Sequence, residues 1–331
     1  MIVFKVQKYF FFRKHQHIFC IFAKKIMNDF RLTILGCGSA KPTLRHHTSS
    51  QVVSYMGEHY MIDCGEGTQQ QLMRFNIRPG KLHTIFISHS HGDHCLGLVG
   101  MLASWALTNR NDDVHLYVPH DLENILRAQI DFFVLYAGYR IHIHPINCLK
   151  PTVIFEDNHF IVSAFPLDHR IPCFGFLFQE KEGKRHIRPE CIQQYDIPFA
   201  VCDDIKSGAD FVTTDGQVIP NERLTTPPAA TRRYAYLSDT RPVMKYADPL
   251  QGVDVVYHEA TYLSSESAKA FEYYHSTAEG AGKFAAACGA KQLLIGHLSS
   301  SYEKNEEALA KEAANWFPNT LLVQEGMVVK L

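Results

Sequence analysis

The stretch Ser88-His89-Ser90-His91-Gly92-Asp93-His94 places four metal-capable side chains within six residues. In an extended segment, side chains two residues apart point the same way, so His89 and His91 can grip one ion from one side. Asp93 and His94 then fall at the entry of a predicted helix and can turn toward a second ion. Imidazole and carboxylate donors suit zinc or another borderline divalent ion. A lone HxH pair is more often structural, whereas HxHxDH between a strand and a helix is a specific pattern.

Other donors lie far along the chain, each closing a predicted strand. Asp63 follows YMI, His169 follows FIVSAFPLD, Asp239 follows YAYLS, His297 follows LLIG, and Glu259 follows DVVYH. Strand carboxyl ends gather on one edge of an α/β sheet, where such folds place their sites. Taken singly, each of these residues reads as a turn residue or a satisfied core group. Together with HxHxDH they define one candidate site.

The elements that must position these residues are legible from periodicity. Strands are predicted over 31–35, 60–62, 84–88, 115–118, 159–164, 234–237, 253–257 and 292–295. Helices are predicted over 67–75, 96–107, 122–133, 278–288 and 305–316. This alternation indicates an α/β fold. Ser276-Thr277-Ala278-Glu279 reads as a capping box, with His275 immediately before the helix N-terminus and Gly289 suited to end it. From about 179 to 233 the alternation stops. That stretch is polar and turn-rich (EKEGKRHIRPE, IKSGADFVTTDGQ, TTPPAATRR), with little helical period, and reads as an arm inserted in the main domain.

Composition narrows the class. A chain of 331 residues with 46% apolar and 12% aromatic content can fill a sizeable core, which excludes wholesale disorder. No apolar run approaches the ~20 residues of a membrane span. Thirty-three cations against 34 acids give a formal charge of −1, unevenly placed. Residues 1–26 hold six cations and no acid, leaving −7 for the remainder, which argues against coating nucleic acid by bulk charge. Residues 1–28 are expected to be a loose basic extension, or the product of a start upstream of Met27, ahead of a domain at 29–331. The longest apolar stretch there, 18–23, is too short for a secretory signal. Nine cysteines without a CxxC indicate free thiols in a reducing cytosol rather than a disulfide framework or a thiolate zinc site.

These residues resemble the metallo-β-lactamase superfamily and, within it, the short-form ribonuclease Z family of tRNA 3′-processing endonucleases. The resemblance covers about 30–331. It is carried by LGCGSAKPT (35–43), RHHTSS (45–50), IDCGEGTQQQL (62–72), SHSHGDHCLGL (88–98) and PLDHRIPCFGF (166–176). LSDTRP (237–242), HEAT (258–261), HSTA (275–278) and GHLSS (296–300) complete it. HxHxDH alone gives only the superfamily, while the GEGTQ, HEAT and HST blocks in this order point to ribonuclease Z.

The resemblance implies a four-layer αβ/βα sandwich with two zinc ions per subunit on one edge. By motif, His89, His91 and His169 would hold one ion, Asp93, His94 and His297 the other, and Asp239 would bridge them. Asp63 would orient a ligand histidine. Asp93 is the expected general base, and His275 supported by Glu259 the expected donor to the leaving 3′-oxygen. Precursor tRNA is the implied substrate, gripped by an arm at about 180–232 that offers Lys181, Lys184, Arg185, Arg188 and Lys206. A cytoplasmic homodimer without membrane association is also implied.

Two departures touch RNA affinity. The arm's usual Gly-Pro element is replaced by Ile197-Pro198-Phe199-Ala200, and Ser299-Ser300-Ser301-Tyr302 lacks an arginine common after the last histidine. The competing enzyme reading is a phosphodiesterase or arylsulfatase-like hydrolase of small esters, which has no need of a fifty-residue polar arm. Nucleases with a domain before the last histidine are disfavoured by the 57 residues between Asp239 and His297. A metal- or RNA-binding relative without catalysis is disfavoured because every proposed ligand is present, and β-lactam hydrolysis fits the HEAT and HST blocks poorly.

Overall fold

Apolar and aromatic side chains from two seven-stranded sheets meet face to face at the centre of the molecule. The computed structural model describes residues 29–331; the basic extension expected at 1–28 lies outside the described residues. The first sheet contains β1 (Arg31–Gly36), β2 (Ser50–Tyr55), β3 (Glu58–Ile62), β4 (Leu82–Phe86), β5 (Val114–Pro119) and β6 (Ile141–Ile146), with β18 (Val328–Lys330) beside β1. The second runs in the order β17 (Thr320–Leu322), β16 (Gln292–Gly296), β15 (Val255–Glu259), β14 (Arg233–Leu237), β9 (Phe174–Glu180), β8 (Phe160–Pro166), β7 (Thr152–Glu156). Strands β3 to β6 pair in parallel, as do β14 to β17.

Between the sheets lies an aromatic layer. Phe86 meets Phe176 at 5.6 Å and Phe178 at 5.4 Å between ring centroids, and Tyr60 meets Phe155 at 5.9 Å. Each such pair adds about 0.5–1.5 kcal/mol beyond its buried area. The outer faces are covered by helices. Leu98, Met101, Leu102 and Trp105 of the helix Gly97–Ala106 pack on Met61, Ile85 and Leu116. Ala281, Phe284 and Ala285 of the helix Ala278–Ala287 pack on Val256, Leu293 and Ile295. The result is the four-layer α/β sandwich.

Strand β2 was not among the predicted strands. Its SQVVSY sequence is half polar, yet all six residues are buried. Gln51 is sustained there by accepting the Tyr234 hydroxyl across the sheets. The capping box at 276–279 also does not form. Thr277 is the N-cap, its side chain accepting from Gly280 N, while the Ser276 hydroxyl donates to the Thr240 carbonyl at 2.7 Å. His275 therefore stands two residues before the cap rather than next to it. Gly289 ends the helix with φ 56°, a left-handed conformation that glycine adopts without penalty.

The described chain forms two compact units. The larger comprises the described residues up to Glu156, Val162–Phe178 and Arg233–Leu331; the smaller comprises Asp157–Ile161 and Gln179–Arg232. The smaller unit has its own apolar cluster of Cys191, Ile197, Ile205, Ile219 and Leu224. It also holds strand pairs β10 (His186–Ile187) with β13 (Thr225–Thr226) and β11 (Phe211–Val212) with β12 (Val218–Ile219). Its helices Pro189–Gln194, Cys202–Lys206 and Asn221–Leu224 are too short for a 3.6-residue period to show in sequence. Among the described residues, no helix is long and apolar enough to cross a membrane.

Candidate metal centre

The segment after β4 delivers the HxHxDH side chains to the sheet edge in two groups. His89 Nε2 lies 3.1 Å from His91 Nδ1, which lies 3.2 Å from His169 Nε2. On the other side, His94 Nε2 is 3.3 Å from His297 Nε2, which is 3.3 Å from Asp93 Oδ2. Asp239 stands between the groups. Its Oδ2 is 3.6 Å from His89 Nε2, and its Oδ1 is 3.4 Å from His94 Nε2 and 3.2 Å from His297 Nε2. Among the described residues, Asp239 Oδ1 is buried and has no hydrogen-bond partner. An orphaned carboxylate oxygen facing converging imidazole nitrogens is costly unless a cation occupies the gap, so the donor set fits divalent metal.

Each ring is held in place through its other nitrogen or by its neighbours. Asp63, at φ 57° beyond β3, accepts the His94 Nδ1 hydrogen at 2.8 Å, the Tyr236 hydroxyl at 2.6 Å and both Ser88 N and Oγ. His169 Nδ1 donates to the Tyr274 carbonyl at 3.1 Å. His297 Nδ1 faces Thr261 Oγ1 at 3.0 Å, and that hydroxyl donates to Glu259 Oε2 at 2.7 Å. Such partners fix tautomer and aim, and they strengthen a ligand's basicity. Close backbone packing completes the mould: a Cβ on Gly65 would sit 2.4 Å from the Asp93 carbonyl oxygen.

Electrostatics match the donor set. Burial opposes charge on His94, yet Asp239, Asp93 and Asp63 together hold its pKa well above the ordinary histidine value. Burial likewise opposes the Asp239 carboxylate, but His297, His94 and His89 keep its pKa well below the ordinary value. Burial pushes His169 down to about 4, leaving it neutral and free to ligate.

Beside the cluster, Glu259 is fully buried and accepts from Thr240 N, Ser276 N, Thr261 N and Thr261 Oγ1. Its Oε1 also lies 2.9 Å from His275 Nδ1. Burial disfavours the charged His275 ring, but Glu259 outweighs it and lifts the pKa to about 9. His275 Nε2 makes no hydrogen bond among the described residues and stays available to a ligand. The ring stacks on His297, with centroids 5.4 Å apart.

The structure thus brings together His89, His91, Asp93, His94, His169, Asp239, His297, Asp63, Glu259 and His275. The arm cations are not equivalent. Arg185 donates to Thr225, while Lys184, Arg188 and Lys206 are exposed, Lys184 pairing with Asp203. Sequence reasoning missed Ser88, Thr261, Tyr236 and the Tyr274 carbonyl, although Ser88 and Thr261 lie inside motifs already singled out. It also missed Arg241, whose guanidinium lies 3.7 Å from the Phe271 ring centroid and 3.5 Å from that of Tyr274. That stack braces the turn from which Tyr274 reaches His169.

A His/Asp cluster at the carboxyl edge of such a sandwich defines a metal-dependent hydrolase of the metallo-β-lactamase fold. A protein named Ribonuclease Z from Bacteroides thetaiotaomicron is 44% identical over 305 residues, covering 92% of this chain and 96% of its own. The solved structure of human tRNase Z, short form, superposes with TM-score 0.66 at 25% identity, covering 90% of this chain and 98% of that one. The metallo-β-lactamase fold protein YhfI from Bacillus subtilis shares the fold with TM-score 0.65 at 17% identity, over 92% of this chain and 100% of its own. A family model described as Anti-Pycsar protein Apyc1 matches residues 30–131. The chain belongs to the ribonuclease Z family and is a metal-dependent endoribonuclease.

Proposed function

We propose that this protein removes 3′ trailers from precursor tRNA using two zinc ions per subunit, leaving a 3′-hydroxyl on the tRNA. The observation that carries the reading is Asp239, whose two oxygens face different ligand groups beside the Glu259–His275 pair. His89, His91 and His169 would hold one ion and Asp93, His94 and His297 the other, with Asp239 able to serve both groups. Bound there, the ions supply an acidified water and neutralise charge developing on the phosphoryl oxygens.

Asp93 accepts the proton of the attacking water. Its Oδ2 is oriented by Ala40 N at 2.7 Å, and despite burial the His94 and His297 rings keep its carboxyl ionised. His275, charged through Glu259, protonates the departing 3′-oxygen. Asp63 acts through His94 and, by way of the Ser88 hydroxyl, through His89.

The smaller unit serves as the tRNA-binding arm, with exposed Arg188 and Lys206 on phosphates. Phe199, fully exposed where the family's Gly-Pro element is replaced, offers a ring for stacking on a base. Two copies associate through the apolar groove lined by Leu96, Leu122, Ile125, Leu126 and Phe133, which continues to exposed Phe132. The eight described cysteines are all unpaired, in keeping with the cytoplasm.

The test is cleavage of a precursor tRNA carrying a 3′ trailer, in zinc and in chelator. A metal-dependent cut beside the discriminator base is expected. Hydrolysis of a small phosphodiester without any cut in the RNA would refute the substrate assignment.

A further inference from the structure

Away from the catalytic edge, a second set of donors meets where the loop between β1 and β2 packs on the carboxyl-terminal strands. Cys37 Sγ lies 3.5 Å from His46 Nδ1, and both Glu325 oxygens face that same nitrogen, at 3.2 Å and 3.1 Å. Cys37 and His46 are buried. The far nitrogen, His46 Nε2, is 2.7 Å from Oε1 of buried Glu306, which is paired in turn with Arg45. A carboxylate on one ring nitrogen with soft and hard donors gathered at the other is the arrangement of a metal-ligating histidine.

We propose that Cys37, His46 and Glu325 form an additional, structural site for a zinc-class divalent cation, separate from the catalytic centre. A thiolate, an imidazole and a two-oxygen carboxylate supply four donor atoms, the number a closed zinc site takes. Charge balances: a divalent ion and Arg45 offset Cys37 thiolate, Glu325 and Glu306. The competing arrangement, an imidazolium bridging the two glutamates with a neutral thiol, balances equally, so experiment must separate them. The ion would tie the 37–47 loop, which delivers Ala40 N to Asp93, to the end of the chain.

The test is cobalt substitution in the full-length protein, read by absorption and by metal content. The catalytic donors are imidazoles and carboxylates and give no thiolate-to-cobalt charge-transfer band; the proposed site does. The wild type is expected to show that band, and Cys37→Ser to lose it together with one bound ion per chain while keeping the others. Glu325→Gln is expected to keep the band but release that ion at roughly tenfold lower chelator, which serves should Cys37→Ser fail to fold. Absence of the band in fully loaded wild type overturns the proposal in favour of the imidazolium bridge. So does a band or metal content unchanged in folded Cys37→Ser, or an ion held as tightly in Glu325→Gln as in wild type.

Discussion

His275 and Asp239 sit a few ångströms apart, yet their removal should have different consequences. Asp239 faces both ligand groups, so Asp239→Ala is expected to lose bound metal at the catalytic edge along with cleavage. His275 packs its ring on His297 and His169 beside Asp239, and its Nδ1 is held by Glu259. His275→Ala should therefore retain the metal and slow precursor cleavage by roughly 10²–10⁴-fold, the scale of one acid–base group. Metal analysis beside single-turnover rates checks the pair. Wild-type rates in His275→Ala would remove it from proton transfer, and lost metal would make it a ligand. At this scale the sequence was legible where donors had short spacing or closed a strand, as with HxHxDH or Asp63. It was silent on Thr261 and Tyr274, because a hydroxyl and a carbonyl acquire roles only once His297 and His169 arrive from distant strands. Cys37, His46 and Glu325 were invisible as a group for the same reason.

Strand pairing creates a further histidine cluster at the β5–β6 edge. His115 stands opposite His142, its Nδ1 is 3.0 Å from His144 Nε2, and the rings stack with Tyr117 beside them. Burial first, then neighbouring histidines, lowers the pKa of both His115 and His144; Asp113, which pairs with His142, opposes this at His115, and His83 adds to it. A histidine whose pKa falls on folding stabilises the fold only while neutral. That contribution is complete above the unfolded value near 6.5 and is lost as pH drops through the lowered folded values. Melting temperature should decline with acid across that window, and His115→Phe with His144→Phe should flatten the decline. An equally steep decline in the double variant would contradict the reading. Elements were legible where a short run of β-prone and aromatic residues is buried almost throughout, as in β4 and β14. They were hidden where burial is polar, as in β2, where Gln51 survives by pairing with Tyr234. The shifted helix start shows the same limit: Ser276 and Thr277 are both competent caps, and the Thr240 carbonyl claims the first.

At the scale of the whole chain, the larger unit holds the candidate metal centre and the smaller has an apolar cluster of its own. Removing about 180–232 should weaken precursor binding while hydrolysis of a small phosphodiester continues. Equal loss of both would show that the arm supports the fold rather than the RNA. The polar composition of this stretch marked it as an insertion, but its core was unreadable, since Ile205, Ile219 and Leu224 are scattered through short turns with no common period. The central claim, that water attacks phosphorus while the 3′-oxygen leaves with a proton from His275, is tested most directly by cleaving precursor tRNA in ¹⁸O-enriched water and analysing both new ends. A 3′-hydroxyl on the tRNA and one ¹⁸O atom in the 5′-phosphate of the trailer are expected. An unlabelled trailer beginning with a 5′-hydroxyl, beside a tRNA ending in a cyclic phosphate, would contradict the claim.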